Sequence, residues 1–445
     1  MANFEAISIV IDFIKRMKIF KFPKTLCYLL ITLTILACSK NNIPQTIHGS
    51  PAVNSSKTLE KPYLILISLD GFRWDYVERF KPPYMSAFIA EGMQAASIIP
   101  SFPSKTFPNH YTLATGMYPD HHGIIGNSFY RPDLDLTYTV GNRERVQDSR
   151  FYKGTPIWVQ AAKEGMVTAS YFFVGTETEI QGIQPTYYFD YNKDIDKEER
   201  VSQALKWLAL PEEKRPHLIT MYFEDMDDIG HAEGPNNDKA LRSKLISLDS
   251  TLGTLFEGVK KTGLPVNIII ASDHGMLEVP TDKYLSLDII TNEEAYLTVS
   301  NGAMVSIHPK DPTQTEAIFK ELKAKEHLFK VYKTTETPGF EYTPTNSGWG
   351  PIQIIPDPGY YFTSNRAIAY KKNTKILVSG EHGFDPTLQE MNGILYGNGP
   401  AFKKGYRAPA VKNIHLYPLM CEILGLRIPK EVDGKLSELE EVLAK

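Results

Sequence analysis

The stretch YLILISLD, Tyr63–Asp70, is a short apolar run that stops on an acid. Such runs, without polar alternation, suit strands buried on both faces, as in a parallel sheet. Three further stretches share the pattern. HLITMYFE (His217–Glu224) ends among acids, VNIIIAS (Val266–Ser272) ends at Asp273, and KILVSG (Lys375–Gly380) ends just before His382. Helical patterns lie between them. Glu198–Leu210 has apolar residues at helical spacing, and Asn237–Thr262 sets Leu241, Leu245, Leu248, Leu252 and Phe256 at steps of three and four. His415–Leu426 reads as a C-terminal helix on the core. This alternation predicts an α/β layered sandwich, with a largely parallel central sheet and helices on both faces. Residues around 277–374 are richer in Tyr, Thr, Pro and Gly and are expected to form an irregular insert, as a cap or as long loops.

The chain has 445 residues, 42% hydrophobic and 22% charged, with a net charge of -4. That suits one large domain, and it excludes electrostatic capture of a nucleic acid backbone. No stable nucleic-acid complex is expected. Cys27, Cys38 and Cys421 show no metal-ligand spacing and no disulfide framework. Lys15, Arg16, Lys18, Lys21 and Lys24 precede the apolar run LCYLLITLTILA (Leu26–Ala37), which suits an export signal better than a membrane span. ILAC then places a small residue before Cys38, as in a bacterial lipoprotein signal with an acylated cysteine. A plain cleaved signal, an uncleaved anchor and a start at Met17 are the alternatives. The expected organisation is a signal over 1–38, a flexible tether over 39–61 and a catalytic domain over 62–445. A lipid anchor would then be the only membrane contact, in the periplasm or on the outer membrane.

Asp70, Asp227, Asp273 and His382 each follow an apolar run. In open α/β sheets ligands bind beyond the carboxyl ends of the strands, so these residues are expected to converge. SDHG supplies Asp273 and His274 from one strand end, EDMDDIGH sets Asp227 and His231 four apart, and GEHGFD carries His382 between glycines. Three carboxylates and three imidazoles suit two zinc ions better than calcium or magnesium. Two metals about 4 Å apart can clamp an in-line phosphoryl displacement. Any one of these acids alone reads more simply as a cap or turn former; their shared placement carries the metal reading. In PSFPSKTFPNHYTLATGMYPDHHGIIGN (Pro100–Asn127) a helix is expected from Thr106 to Thr115, ended by Gly116. Thr106 would sit where free N–H groups and the helix dipole favour an anion. The simpler alternative is that Ser104 or Thr106 caps the helix.

From Pro62 almost to the C-terminus the chain resembles the nucleotide pyrophosphatase/phosphodiesterases, a branch of the alkaline phosphatase superfamily. LDGFR, the Pro100–Asn127 segment, YKGTPIWV, LPEEKRPHLITMYFEDMDDIGH, SDHGM and HGFD carry the likeness. The resemblance implies an alkaline-phosphatase-like fold in a bacterial, single-domain member. It implies one zinc on Asp227, His231 and His382, and another on Asp70, Asp273 and His274 with Thr106 bound as nucleophile. It implies that Asn127 donates to a phosphoryl oxygen, that Phe107 and Tyr191 flank a nucleobase, and that Tyr222 lines the same pocket. Stacking between aromatics implies weak base selectivity. The implied reaction is hydrolysis of nucleoside 5′-phosphodiester and pyrophosphate bonds through a covalent threonine intermediate. A phospholipid or choline phosphodiesterase, or a phosphomonoesterase, on the same metals is the alternative. One departure is Met226, where the family usually has Pro before the metal-binding Asp; a modest loss of rigidity is expected. His110, His121 and His122 are expected to be packing or solvated residues.

Overall fold

The structure is a computed structural model and describes residues 49–444. The expected export signal, Cys27 and Cys38 lie outside the described residues. Of the expected tether over 39–61, residues 49–61 are described, and these are pinned to the domain. The Asn54 side chain donates to Glu212 O and Arg215 O, at 3.0 and 2.8 Å, and accepts the Val167 N–H at 2.8 Å. A polar composition reads as loop, yet here one amide satisfies backbone groups of two separate segments.

The main sheet has eight strands: β1 (Tyr63–Leu69), β2 (Met93–Ala95), β3 (Thr168–Tyr171), β4 (Tyr187–Phe189), β5 (Leu218–Phe223), β6 (Val266–Ala271), β7 (Leu395–Asn398) and β8 (Tyr406–Ala408). Their order across the sheet is β8-β2-β7-β6-β1-β5-β3-β4. From β6 to β4 the neighbours are parallel; β7 runs antiparallel to β6 and β2. Strand β1 is central, with Ile67 paired to Met221 on one side and Ile270 on the other. Its side chains alternate between two cores. Leu64 and Leu66 join one cluster, while Ile65, Ile67 and Leu69 join the other. Burial on both faces is the physical reason the run carries almost no polar residue.

Helices cover both faces. On one lie α1 (Thr106–Thr115) and α4 (Leu416–Leu424), whose Tyr111, Leu113, Leu416 and Leu419 pack with Leu64 and Leu66. On the other lies α3 (Asp238–Thr262), which follows α2 (Asp225–Glu233). Leu241, Leu245, Leu248, Leu252 and Leu255 of α3 are fully buried. Each such burial contributes roughly 1.5–3 kcal/mol. Asn237 caps α3 by accepting the Ala240 N–H, and Gly263 at φ 70 ends it.

Two expectations need correction. KILVSG is not a strand of the main sheet. Val378–Glu381 pairs antiparallel with Leu277–Pro280 in a two-stranded ribbon, and Leu377 is 78% exposed. The run follows a helix over Asn365–Asn373, and two of its three apolar residues, Ile376 and Leu377, precede the strand. The segment 277–374 is also more regular than its composition suggests. Four antiparallel strands, Tyr296–Ser300, Val305–Pro309, Ile352–Pro356 and Phe329–Lys333, pack with the helix Thr315–Ala324 around a separate core of Val305, Ile307, Ile318, Leu322, Val331 and Ile354. Its strands are five residues each, two of them ending in proline, too short for a clear periodic signal.

Candidate active site

The ends of β1, β5 and β6 bring the expected acids together. Asp70 follows β1, Asp227 lies in the first turn of α2 just after β5, and Asp273 and His274 follow β6. Gly71 makes this convergence possible. It has φ +62, and a Cβ there would sit 2.8 Å from Asp227 Cα. Its N–H donates to Asp273 Oδ1 at 3.2 Å. Only glycine lets the turn after β1 pass so close to α2. Met226 fills the position where proline was expected and is buried in the apolar cluster beneath the sheet, so α2 still starts at Asp225 and presents Asp227.

The three imidazoles are oriented alike. The Nδ1–H of His231 donates to Gly380 O at 2.7 Å, that of His382 to Ser104 O at 2.9 Å, and that of His274 to Gly275 O at 2.8 Å. A carbonyl oxygen can only accept, so each ring keeps its Nε2 lone pair for the cavity. His274 Nε2 lies 3.0 Å from Asp273 Oδ2 and 3.4 Å from Asp70 Oδ1; His231 Nε2 lies 3.4 Å from Asp227 Oδ1. Lone pairs aimed at carboxylates repel unless a proton or cation stands between them. Asp70 Oδ1 and Asp227 Oδ1 are buried without a hydrogen-bond donor, a costly arrangement that a metal ion would relieve. Ligand atoms of Asp227, His274 and His382, and likewise of Asp70, Asp273 and His274, lie within 4.8 Å of one another. His274 thus belongs to both compact groups, and His231 approaches the first through Asp227. These residues suit a metal cluster of mixed oxygen and nitrogen donors.

The charges follow from this crowding. Burial, then Asp273 and Asp227, push the Asp70 carboxyl well above the usual range. Burial would also raise Asp273, but His274 and His110, when protonated, outweigh it and hold that carboxyl well below the usual range. His382 is driven far down by burial and next by His274.

Thr106 opens α1, and Gly116 closes it at φ 65, as expected. Neither Ser104 nor Thr106 caps the helix. The cap position is Lys105, which makes no side-chain capping bond, and Ser104 Oγ donates to Phe384 O at 2.8 Å. Thr106 Oγ1 lies 3.3 Å from His274 Nε2. Asn127 Oδ1 accepts the Phe107 N–H at 3.0 Å, which fixes the amide and leaves its Nδ2 to donate elsewhere.

A cavity of about 270 Å³ is lined by Asp70, Thr106, Phe107, Asn127, Tyr191, Tyr222 and Asp227 among others. Tyr222 does more than line it, since its hydroxyl donates to Asp70 Oδ2 at 2.6 Å. Three contributors escaped the sequence reading. His110 stands one helical turn after Thr106. Its Nδ1 lies 2.9 Å from Thr106 O and 3.2 Å from Asp273 Oδ2, and its Nε2 lies 2.8 Å from Ser68 Oγ. The i, i+4 spacing from Thr106 was the available signal. Arg143 and Glu177 also line the cavity; they pair with each other, and Glu177 accepts the Tyr191 N–H. His121 and His122 point elsewhere, to Asp433 and Thr112.

An α/β sandwich with a carboxylate–imidazole cluster at its strand ends is the alkaline-phosphatase-like class. Residues 64–385 match the family described as type I phosphodiesterase / nucleotide pyrophosphatase, and the chain belongs to that family. It is 33% identical over 418 residues to mouse ectonucleotide pyrophosphatase/phosphodiesterase family member 1, covering 91% of this chain and 45% of that protein. It is 32% identical to a bis(5′-adenosyl)-triphosphatase of Xenopus laevis, covering 89% of this chain and 84% of that one. Thus the chain spans less than half the length of the mouse relative. Murine ectonucleotide pyrophosphatase/phosphodiesterase 5, solved as an inactive threonine-to-alanine variant in complex with AMP, superposes with a TM-score of 0.79 at 29% identity, over 86% of this chain and 100% of that chain.

Proposed function

We propose that the protein hydrolyses nucleoside 5′-phosphodiester and pyrophosphate bonds, releasing nucleoside 5′-monophosphates, with Thr106 as nucleophile. The observation that carries this reading is the uncapped start of α1. Thr106 Oγ1 lies free of capping duty, 3.3 Å from His274 Nε2, in one cavity with Phe107 and Tyr191. The AMP complex of the murine relative, in a threonine variant, supports both the nucleotide and the nucleophile.

In this reading Asp227, His231 and His382 would hold one zinc, and Asp70, Asp273, His274 and Thr106 would hold the other. When bound, the ions supply Lewis acidity that eases loss of the Thr106 proton and takes up charge on the reacting oxygens. Thr106 Oγ1 attacks the phosphorus, its bond to phosphorus forms, and the bond to the leaving oxygen breaks. The free Asn127 Nδ2 and the first turn of α1 stabilise charge on the phosphoryl oxygens. Phe107 and Tyr191 hold the base from either side, and Tyr222 keeps Asp70 in place through its hydroxyl bond. Water then cleaves the Thr106–phosphorus bond and the nucleotide leaves.

Thr106→Ala should abolish release of the aryl alcohol from an aryl ester of thymidine 5′-monophosphate. Near-normal turnover would remove Thr106 from its role. Matched aryl mono- and diesters should favour the diester; a strong monoester preference would move the protein to the phosphomonoesterase alternative.

A further inference from the structure

Lys105 occupies a costly place. Its backbone is the N-cap of α1, where a cation opposes the helix dipole and a short polar side chain is favoured. It is also buried, at 5% exposure, and unpaired burial of an ammonium is strongly unfavourable. Its stem runs across Gly383, where a Cβ would lie 2.5 Å from Lys105 Cε. Its Nζ donates to the Tyr361 hydroxyl at 2.8 Å and stands 5.1 Å from the centre of that ring. The Tyr361 ring packs against Tyr284, with ring centres 5.9 Å apart, and the Tyr284 hydroxyl donates to Glu381 Oε1 at 2.6 Å. Glu381 is buried, directly precedes His382, and places Oε2 4.0 Å from His231 Nδ1.

We propose that Lys105 is a positioning residue, tying the start of α1 through Tyr361, Tyr284 and Glu381 to the strand that presents His382. Tyr284 and Tyr361 belong to the 277–374 segment, so the same chain of bonds fastens the insert to the nucleophile. Lys105 is absent from the lining of the cavity that holds Thr106, and it acts through its neighbours. The buried cation offsets Glu381, which would otherwise stand uncompensated behind the two imidazoles. Ser104 also joins the two segments, through His382 Nδ1 and Phe384 O, so loss of the Lys105 link leaves that joint alone to hold Thr106 against His382, and a misplacement of about 1 Å costs about 100-fold in rate.

The proposal rests on Thr106 and the imidazoles being the site. It is tested on the zinc-loaded full chain with Lys105→Met, Tyr361→Phe and the double variant. Turnover of the thymidine ester, zinc loss to a chelator and thermal unfolding are followed in parallel. Lys105→Met is expected to lower kcat about 100-fold with KM nearly unchanged. Tyr361→Phe should lower kcat about tenfold and speed zinc loss, as is usual when a supporting bond behind a ligand is removed. The double variant should be no worse than Lys105→Met, because both changes cut one chain of bonds. Unchanged kcat in Lys105→Met, or fully multiplicative losses in the double variant, would overturn the proposal. If Lys105→Met does not fold, Tyr361→Phe decides, since it removes one oxygen; zinc loss at the wild-type rate would then refute the link. Zinc loss is read without substrate, so an error in the proposed reaction would show instead as poor turnover by the unaltered protein.

Discussion

The carboxylate–imidazole cluster and the aromatic pocket meet in one cavity through Asp70 and Asp227, yet they are held in different ways. Asp70 and Asp273 stand at the ends of β1 and β6, two hydrogen-bonded neighbours at the centre of the sheet. The rings of His231, His274 and His382 are each fixed by a backbone carbonyl. Tyr191, by contrast, is 38% exposed and lies outside the helices and strands. Its backbone is held by Glu177, which is paired to Arg143, itself half-exposed. Positions that must agree to fractions of an ångström come from the ends of the central strands; of the pocket walls, Phe107 and Tyr222 stand on α1 and β5, while Tyr191 comes from a loop.

That contrast gives a ranked set of expectations. Asp273→Asn keeps the shape but removes a buried charge, and it should abolish turnover and lower the zinc content of the purified protein. Normal zinc by metal analysis would place the cluster's ions elsewhere. Asn127→Ala touches the junction between the halves. On the proposed reading it removes a donor to the phosphoryl group, and it frees the Phe107 N–H, so kcat on diesters should fall about 100-fold with zinc retained. Tyr191→Ala alters only the loop half. A base stack is worth about 1–3 kcal/mol, so KM for the thymidine ester should rise about tenfold with kcat and zinc unchanged. If Tyr191→Ala lowered kcat as much as Asn127→Ala, the division between the halves would fail.

The same contrast explains what the sequence revealed. The runs at Tyr63–Leu69 and Val266–Ala271 are legible because burial on two faces removes polar residues, and the acids behind them are legible by position. The helix Thr106–Thr115 is legible from its glycine stop. KILVSG misleads because apolar content does not distinguish a core strand from a ribbon with an exposed Leu377. The sheet within 277–374 is hidden by the brevity of its strands. Arg143 and Glu177 leave no local mark, because neither sits in a motif and only the folded chain brings them to one wall. His110 was readable in principle, one turn from Thr106, but an apolar helix face makes a packing role the simpler reading.

Gly71 has a wider consequence. Because a single methyl group there would strike the Asp227 backbone, the loop after β1 and the start of α2 rest in direct contact. The gap between the Asp70 and Asp227 carboxylates is therefore gauged by main chain against main chain, as a machinist's stop sets a clearance. Side chains around it can vary without resetting the distance, whereas substitution of that one small residue would reset it everywhere at once.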